Sequence, residues 1–165
     1  MTAEIKIRPV EADDLDAVTA LLEREAAHNS HDFDGDSPYH PVNAAIAIVS
    51  ASLDRDGPDC GWLAFSDGKP AGIITTPQGL AGGVFVADRF RGQGIAQSLI
   101  REREGYFKDV LGLTEIQRPV RADNEASIRL HTEKLGYHFS QASLNLLKET
   151  PSLPGHTVLY LAKTL

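Results

Sequence analysis

The sequence predicts an α/β protein with a mixed, mostly antiparallel sheet and helices on both faces. Consecutive strand-length apolar runs lie in the middle of the chain, and the tight-turn dipeptide Asp67-Gly68 joins two of them. Strand and helix patterns alternate farther along, as in β-α-β units. The length of 165 residues suits one domain, so we expect a single domain over residues 1–165.

Periodicity and turn signals predict the element order β-α-α-β-β-β-α-β-α-β-β. Pro9 predicts that the first strand ends there or lies at a sheet edge. Asp13 is expected to cap the first helix, whose apolar face carries Leu15, Val18 and Leu22. In order, the expected elements are a strand over 4–10, helices over 13–27 and 43–53, strands over 60–65, 70–76 and 80–86, a helix from Gly94 whose apolar face ends with Val110 and Leu111, a strand over 114–120, a helix over 124–135 closed by Gly136, and strands over 137–146 and 156–161.

Composition excludes several classes of protein. The net charge of −7 disfavours a nucleic-acid partner, because contacts to phosphates drive that affinity. No apolar window reaches the length of a membrane span or a signal peptide. The single cysteine, Cys60, excludes an intrachain disulfide and suits a reducing compartment. We therefore expect a cytoplasmic protein with no membrane partner.

Charge is distributed unevenly along the chain. Residues 11–36 hold nine acidic residues and one basic residue, whereas residues 89–103 hold four arginines and one acidic residue. A basic patch on an acidic protein suits a local anionic ligand. The acidic third could favour a cationic acceptor, and solvated surface is the alternative interpretation.

The most informative segment is the turn after the strand that contains Val84. A helix that begins after glycines leaves backbone N–H groups unpaired, and the helix dipole adds positive potential there. Such a turn is suited to a phosphate group. A P-loop is excluded because no Lys-Ser or Lys-Thr pair follows the glycines, and the dinucleotide fingerprint lacks its third glycine at Gln97.

Two motifs resemble the GNAT family of N-acetyltransferases. The residues Arg91-Gly92-Gln93-Gly94-Ile95-Ala96 fit the family's pyrophosphate signature, Gln/Arg-x-x-Gly-x-Gly/Ala. The segment from Asn124 to Tyr137 resembles the family's closing helix, and Ser127 to His131 is similar to the phosphinothricin-acetyltransferase type. The predicted element order is also that of the acyl-CoA N-acyltransferase (GNAT) fold.

The resemblance implies acetyl-CoA as co-substrate. It implies that backbone N–H groups of the glycine turn hold the pyrophosphate, with Arg91 adding charge. It also implies that the strand before the turn offers N–H groups to the pantetheine and to the oxyanion, and that an asparagine binds the CoA arm. The residues expected to bind acetyl-CoA are Val84, Phe85, Val86, Arg91, Gly92, Gln93, Gly94, Ile95, Ala96, Gln97 and Asn124. Asn124 is equally well placed to be an N-cap.

His131 occupies the position of a tyrosine that, in many family members, protonates the departing CoA thiolate. A histidine can donate a proton near neutral pH, so His131 is the candidate general acid. The alternative is a buried, hydrogen-bonded histidine that packs beside the co-substrate. No metal is expected, because no fixed ligand spacing is present.

The general base has no diagnostic spacing in the sequence. The candidates are His28, His31, Asp32, Asp34, Asp36, His40 and Glu149, each with a solvated loop position as the alternative.

We therefore predict an enzyme that transfers acetyl from acetyl-CoA directly to the primary amine of a small molecule. A protein acetyltransferase that acts on N-termini or lysines is the first alternative, and a non-catalytic acyl-CoA-binding regulatory module is the second. The sequence does not name the acceptor, and a homodimer is an assembly that it allows.

Overall fold

The computed structural model describes residues 2–30, 32–54, 60–76 and 83–165. The chain divides into two compact units, an N-terminal unit, Met1–Leu111, and a C-terminal unit, Gly112–Leu165. The predicted strand residues 80–82 lie outside the described part of the chain. No described helix is long and apolar enough to cross a bilayer.

Four strands form an antiparallel sheet in the N-terminal unit. They are β1 (Ile5–Pro9), β2 (Gly61–Ser66), β3 (Lys69–Thr75) and β4 (Val84–Val86), and they are hydrogen-bonded in that order. Asp67 and Gly68 both have positive φ, 47° and 76°, as a two-residue type I′ turn requires. The predicted hairpin is confirmed, and so is the edge position of Pro9.

Three helices belong to the same unit: α1 (Leu15–His28), α2 (Pro41–Ser52) and α3 (Ile95–Asp109). Helix α3 buries Ile95, Leu99, Ile100 and Phe107, which recur at helical spacing. The unit therefore has its core between a sheet face and this apolar stripe.

Local predictions at the ends of α1 and α3 are wrong. Asp13 does not cap α1, because it lies inside a 3₁₀ turn, Ala12–Asp14, that Glu11 and Asp14 close with a capping box. The buried residues of α1 are Val18 and Leu21, and Leu15 is 38% exposed. Val110 is 48% exposed because α3 has ended before it.

The C-terminal unit contains a three-stranded antiparallel sheet. Its elements are β5 (Glu115–Arg121), α4 (Glu125–Arg129), a π-helical turn (Leu130–Lys134), β6 (His138–Phe139), α5 (Gln141–Glu149) and β7 (Val158–Thr164). The strand order is β5-β7-β6. Gly136 has φ of 77° after the π turn, which confirms its predicted place at the end of the helix.

The predicted strand over 137–146 is wrong beyond β6. Ser140 begins α5 as its N-cap, and its Oγ accepts a hydrogen bond from the N–H of Ser143 at 3.3 Å. The Oγ of Ser143 in turn accepts from the N–H of Tyr160 at 2.8 Å, which joins α5 to β7. The element order therefore gains a helix between the last two strands.

Candidate functional site: the turn between β4 and α3

The glycine turn connects β4 to α3 within the N-terminal unit. After β4 the chain makes a 3₁₀ turn, Asp88–Phe90, which the buried ring of Phe90 anchors. Gly92 and Gly94 both have φ of 76°, a conformation that side chains with a Cβ disfavour. A Cβ built on either glycine meets nothing within 4 Å. The turn is therefore open to a ligand at the start of α3.

Unpaired donors line this turn. In the described part of the chain, no acceptor is bonded to the N–H groups of residues 92–97. The first bond of the helix comes from the N–H of Ser98 to the carbonyl of Gly94, at 3.0 Å. Donors at a helix start, together with the dipole, suit an anion such as a pyrophosphate.

Two side chains of the turn already have partners. The guanidinium of Arg91 donates to the carbonyl of Val86 at 3.2 Å and forms an ion pair with Asp88 at 3.1 Å. The Oγ of Ser66 donates to Oε1 of Gln93 at 3.0 Å, which holds Gln93 against β2. Asp88 thus offsets the charge that Arg91 brings to the turn.

Strand β4 is the edge strand of its four-stranded sheet, so among the described residues of that sheet no strand pairs with its other side. Val84, Phe85 and Val86 pair with β3 on the other side. The close approach needs Gly72, where a Cβ would lie 2.8 Å from the carbonyl oxygen of Phe85. The three predicted residues of β4 are therefore on the strand that leads directly into the turn.

A groove runs beside β4 at the end of α1. Its lining residues are Arg24, Ala27, His28, Phe85, Ala87, Asp88 and Arg89. Nδ1 of His28 lies 3.7 Å from Oδ1 of Asp88, and Nε2 of His28 lies 3.3 Å from the guanidinium of Arg91.

The other base candidates lie elsewhere. Nδ1 of His40 accepts from the N–H of Val42 and caps α2. His31 lies outside the described residues. The remaining candidates are exposed side chains at Asp32, Asp34, Asp36 and Glu149.

Asn124 and His131 belong to the C-terminal unit. Asn124 is the N-cap of α4, because its Oδ1 accepts from the N–H of Ser127 at 3.1 Å. The capping role predicted from sequence is confirmed. Asn124 is exposed, whereas His131 is buried. Its contact with the CoA arm stays a prediction.

His131 is 1% exposed, and both of its ring nitrogens are engaged. Nδ1 lies 2.7 Å from the carbonyl oxygen of Ser127, and Nε2 lies 2.5 Å from the guanidinium of Arg118. The ring also stands edge-on to Tyr137, with centroids 4.9 Å apart. These contacts favour the packed, hydrogen-bonded alternative for His131, whereas the general-acid role stays a prediction.

Sequence reasoning missed Arg118. Burial lowers the pKa of its guanidinium. The signal was present in β5, where period-two alternation puts Arg118 on the same face as the buried Ile116 and Val120. An arginine on the buried face of a strand needs a partner, and the sequence could not show that the partner is His131.

The fold and the glycine turn define the class of an acyl-CoA-dependent transferase, and comparison with known proteins agrees. Residues 20–137 match the profile described as the acetyltransferase (GNAT) family. The chain belongs to the GNAT family of acetyltransferases. No curated protein sequence matches the chain.

Solved structures of acetyltransferases share the fold. A GNAT acetyltransferase from Streptococcus pneumoniae is 19% identical, with a TM-score of 0.69 over 98% of this chain and 100% of that one. PaiA N-acetyltransferase from Thermoplasma acidophilum, solved with coenzyme A, is 15% identical, with a TM-score of 0.69 over 98% and 99%. Ribosomal-protein-alanine N-acetyltransferase from Brucella melitensis is 20% identical, with a TM-score of 0.66 over 97% and 99%. The predicted fold class is confirmed.

Proposed function

We propose that this acetyltransferase moves an acetyl group from acetyl-CoA to the primary amine of a small molecule. The observation that carries the proposal is the cluster of unbonded N–H groups over residues 92–97, at the start of α3. When bound, acetyl-CoA supplies an acetyl thioester that an amine can attack. The family membership supports the reaction, and the groove beside β4 supports the acceptor class.

The turn fits the pyrophosphate of CoA in three ways. Its N–H groups are donors without partners, the helix dipole adds positive potential, and the two glycines leave space for close approach. Arg91 can turn from Asp88 to a phosphate at small cost, because an exposed ion pair is worth at most about 1 kcal/mol. We assign the pyrophosphate to Arg91, Gly92, Gln93, Gly94, Ile95, Ala96 and Gln97.

The backbone of β4 is assigned to the pantetheine arm. Val84, Phe85 and Val86 lie on an edge strand, so N–H and C=O groups on its open side can bond an extended ligand. Preorganised N–H donors aimed at a developing oxyanion are worth about 3 kcal/mol each.

The groove at the end of α1 is assigned to the acceptor. It begins at the same strand, and its lining includes both a carboxylate, Asp88, and two guanidinium groups, Arg24 and Arg89. Such a lining suits a small amine that carries further charged groups. Among the base candidates that the structure describes, His28 is the one that lines this groove, so we assign proton removal from the amine to His28.

The reaction is tested by release of the CoA thiol from acetyl-CoA across a panel of amino acids, polyamines, other small amines and peptides. We expect higher kcat/KM for a small amine than for any peptide. Higher kcat/KM for peptides would replace the acceptor with a protein. CoA binding without thiol release from any acceptor would favour a non-catalytic module. Cytoplasmic location, a homodimer and the absence of a metal stay predictions.

The binding site is tested by a matched pair of glycine variants. Gly94 and Gly68 have the same φ of 76° and equally open surroundings, so alanine strains both backbones alike. We expect Gly94→Ala to weaken CoA binding roughly tenfold in calorimetry, because the new Cβ occupies the space of the pyrophosphate. Gly68→Ala, in the β2–β3 turn, should bind CoA like the wild type. Equal affinities in the two variants would remove the turn from the site.

A further inference from the structure

The pair formed by Arg118 and His131 joins a half-buried cation to a buried imidazole ring. Burial is the largest influence on the pKa of Arg118 and lowers it, and no carboxylate of the described residues opposes this effect. The Nε atom of Arg118 is buried and bonded to no described acceptor. A hydrogen bond joins this guanidinium to Nε2 of His131.

The two hydrogen bonds determine the tautomer of His131. A backbone carbonyl can only accept, so the ring must carry its proton on Nδ1, opposite Ser127. A guanidinium can only donate, so Nε2 must be the unprotonated acceptor. A second proton on Nε2 would place two donors and two cations against each other.

The helix is built to keep the ring in this position. Within the π-helical turn, side chains bond carbonyls of the preceding helical turn: His131 to Ser127, and Thr132 Oγ1 to Ile128 at 2.8 Å. A π-helical turn inside a helix commonly marks a functional position.

We propose that Arg118 is a positioning residue that holds His131 as a neutral ring with its proton on Nδ1. In this state Nε2 has no proton to give, so His131 is a fixed hydrogen-bond acceptor for Arg118 and not the general acid of acetyl transfer. The statement about the tautomer is independent of the proposed function, whereas the statement about catalysis rests on it.

The charges around the ring agree with this state. Arg118 faces the ring from β5, and Tyr137 faces it from the segment after the π turn. Lys163 of β7 lies on the ring of Tyr137, with Nζ 5.6 Å from its centroid. On the helix itself Glu133 and Lys134 are exposed, one of each sign. Among these groups, the charge in direct contact with the ring is the guanidinium of Arg118, which donates a hydrogen bond to Nε2.

The test is ¹⁵N NMR of the histidine rings in the full chain. Of the six histidines, His131 is assigned by the signal that His131→Phe removes. We expect a protonated Nδ1 and an unprotonated Nε2 that do not change between about pH 5 and 8, where an ordinary histidine titrates. Arg118→Met should let the ring take up a second proton in that range, and Arg118→Lys should restore the wild-type state.

Arg121→Met is the matched control. Arg121 lies on the same strand but is exposed and bonded to Asp123, so its removal should leave the His131 signals unchanged. A wild-type ring that titrates in this range, or that carries its proton on Nε2, would overturn the proposal. Since this measurement on the wild type does not need Arg118→Met, it decides the question even if that variant does not fold.

Kinetics then test the catalytic half. In the wild type, the pH profile of kcat should contain no limb that is lost in His131→Phe. In Arg118→Met, a new limb should appear between about pH 5 and 8 and should be absent from the double variant Arg118→Met/His131→Phe. A wild-type limb that disappears in His131→Phe would restore the general-acid role. If no amine is acetylated, the proposed function fails while the NMR result still stands.

Discussion

At the scale of single residues, a side chain's role here depends on its partner more than on its type. Asp14 shows this outside the candidate site. Arg8 donates two hydrogen bonds to its carboxylate, at 2.7 and 2.8 Å, and the N–H of Glu11 donates a third at 2.7 Å. The bonds from Arg8 are the largest cause that lowers the pKa of Asp14 below its ordinary value of 3.8.

This pair predicts a pH-dependent stability. A lowered folded-state pKa means that Asp14 stabilises the fold above its ordinary pKa, and that this contribution disappears as the pH falls through the lowered value. Asp14→Asn should therefore reduce the free energy of unfolding by about 2 kcal/mol at pH 7. The deficit against wild type should shrink on acidification below the ordinary pKa. Urea titrations at neutral and acidic pH measure both.

The control for Asp14 is Asp123→Asn. Asp123 also bonds an arginine, Arg121, at 2.7 Å, but this pair is exposed to solvent. Surface pairs contribute little, so Asp123→Asn should leave stability near that of the wild type. An equal loss in the two variants would show that burial of Asp14 is not what matters.

At the scale of elements, strands and helices with strong local signals were predicted well. The Asp67-Gly68 hairpin and the helix after Gly94 are examples, because turn chemistry and helical periodicity are local properties. Helix α5 was missed because Ser143 is its sole buried residue, so its apolar spacing does not mark one buried face. A cap at Ser140 and a bond to Tyr160 select the helix instead.

Two glycines on different elements predict opposite effects of alanine. At Gly72 in β3, a Cβ would lie 2.8 Å from the Phe85 carbonyl and 3.3 Å from side chains of Ile95 and Leu99. Gly72→Ala should therefore cost about 1–3 kcal/mol and disturb β4. At Gly105 in α3, a Cβ meets nothing within 4 Å. Gly105→Ala should stabilise by about 0.5–1 kcal/mol, because alanine favours the helix.

Chemical denaturation of the two variants measures these effects, and CoA binding of Gly72→Ala measures the disturbance of β4. A stable Gly72→Ala protein that binds CoA normally would mean that β4 can move away from β3 without consequence for the site. Because Gly105→Ala should raise the free energy of unfolding, a loss in Gly72→Ala would not be a general effect of substitution by alanine.

At the scale of the whole molecule, ligand binding should raise thermal stability. A ligand at 100 times its Kd that binds the folded state alone stabilises by about 2.7 kcal/mol. For a chain of 165 residues this corresponds to a rise in Tm of roughly 5–10 °C. We expect CoA to give this rise in a thermal melt. Pantetheine, which lacks the pyrophosphate, should give a clearly smaller rise, and an equal rise would contradict the assignment of residues 92–97.

The net charge of −7 belongs to this scale too. Of the four arginines over residues 89–103, Arg103 is buried and Arg91 is paired with Asp88, so the basic patch expected from the sequence is reduced to Arg89 and Arg101.

By itself, the sequence determined the fold class, the hairpin, the glycine turn and the likeness to acetyltransferases, because each depends on residues close together in the chain. Tertiary structure decided which groups meet across the chain. It placed His28 beside Asp88 and Arg91, and it placed Arg118 of β5 against His131 of the π-helical turn. The physical reason is that a proton's position depends on the donors and acceptors around it, and contacts between separate elements supply them.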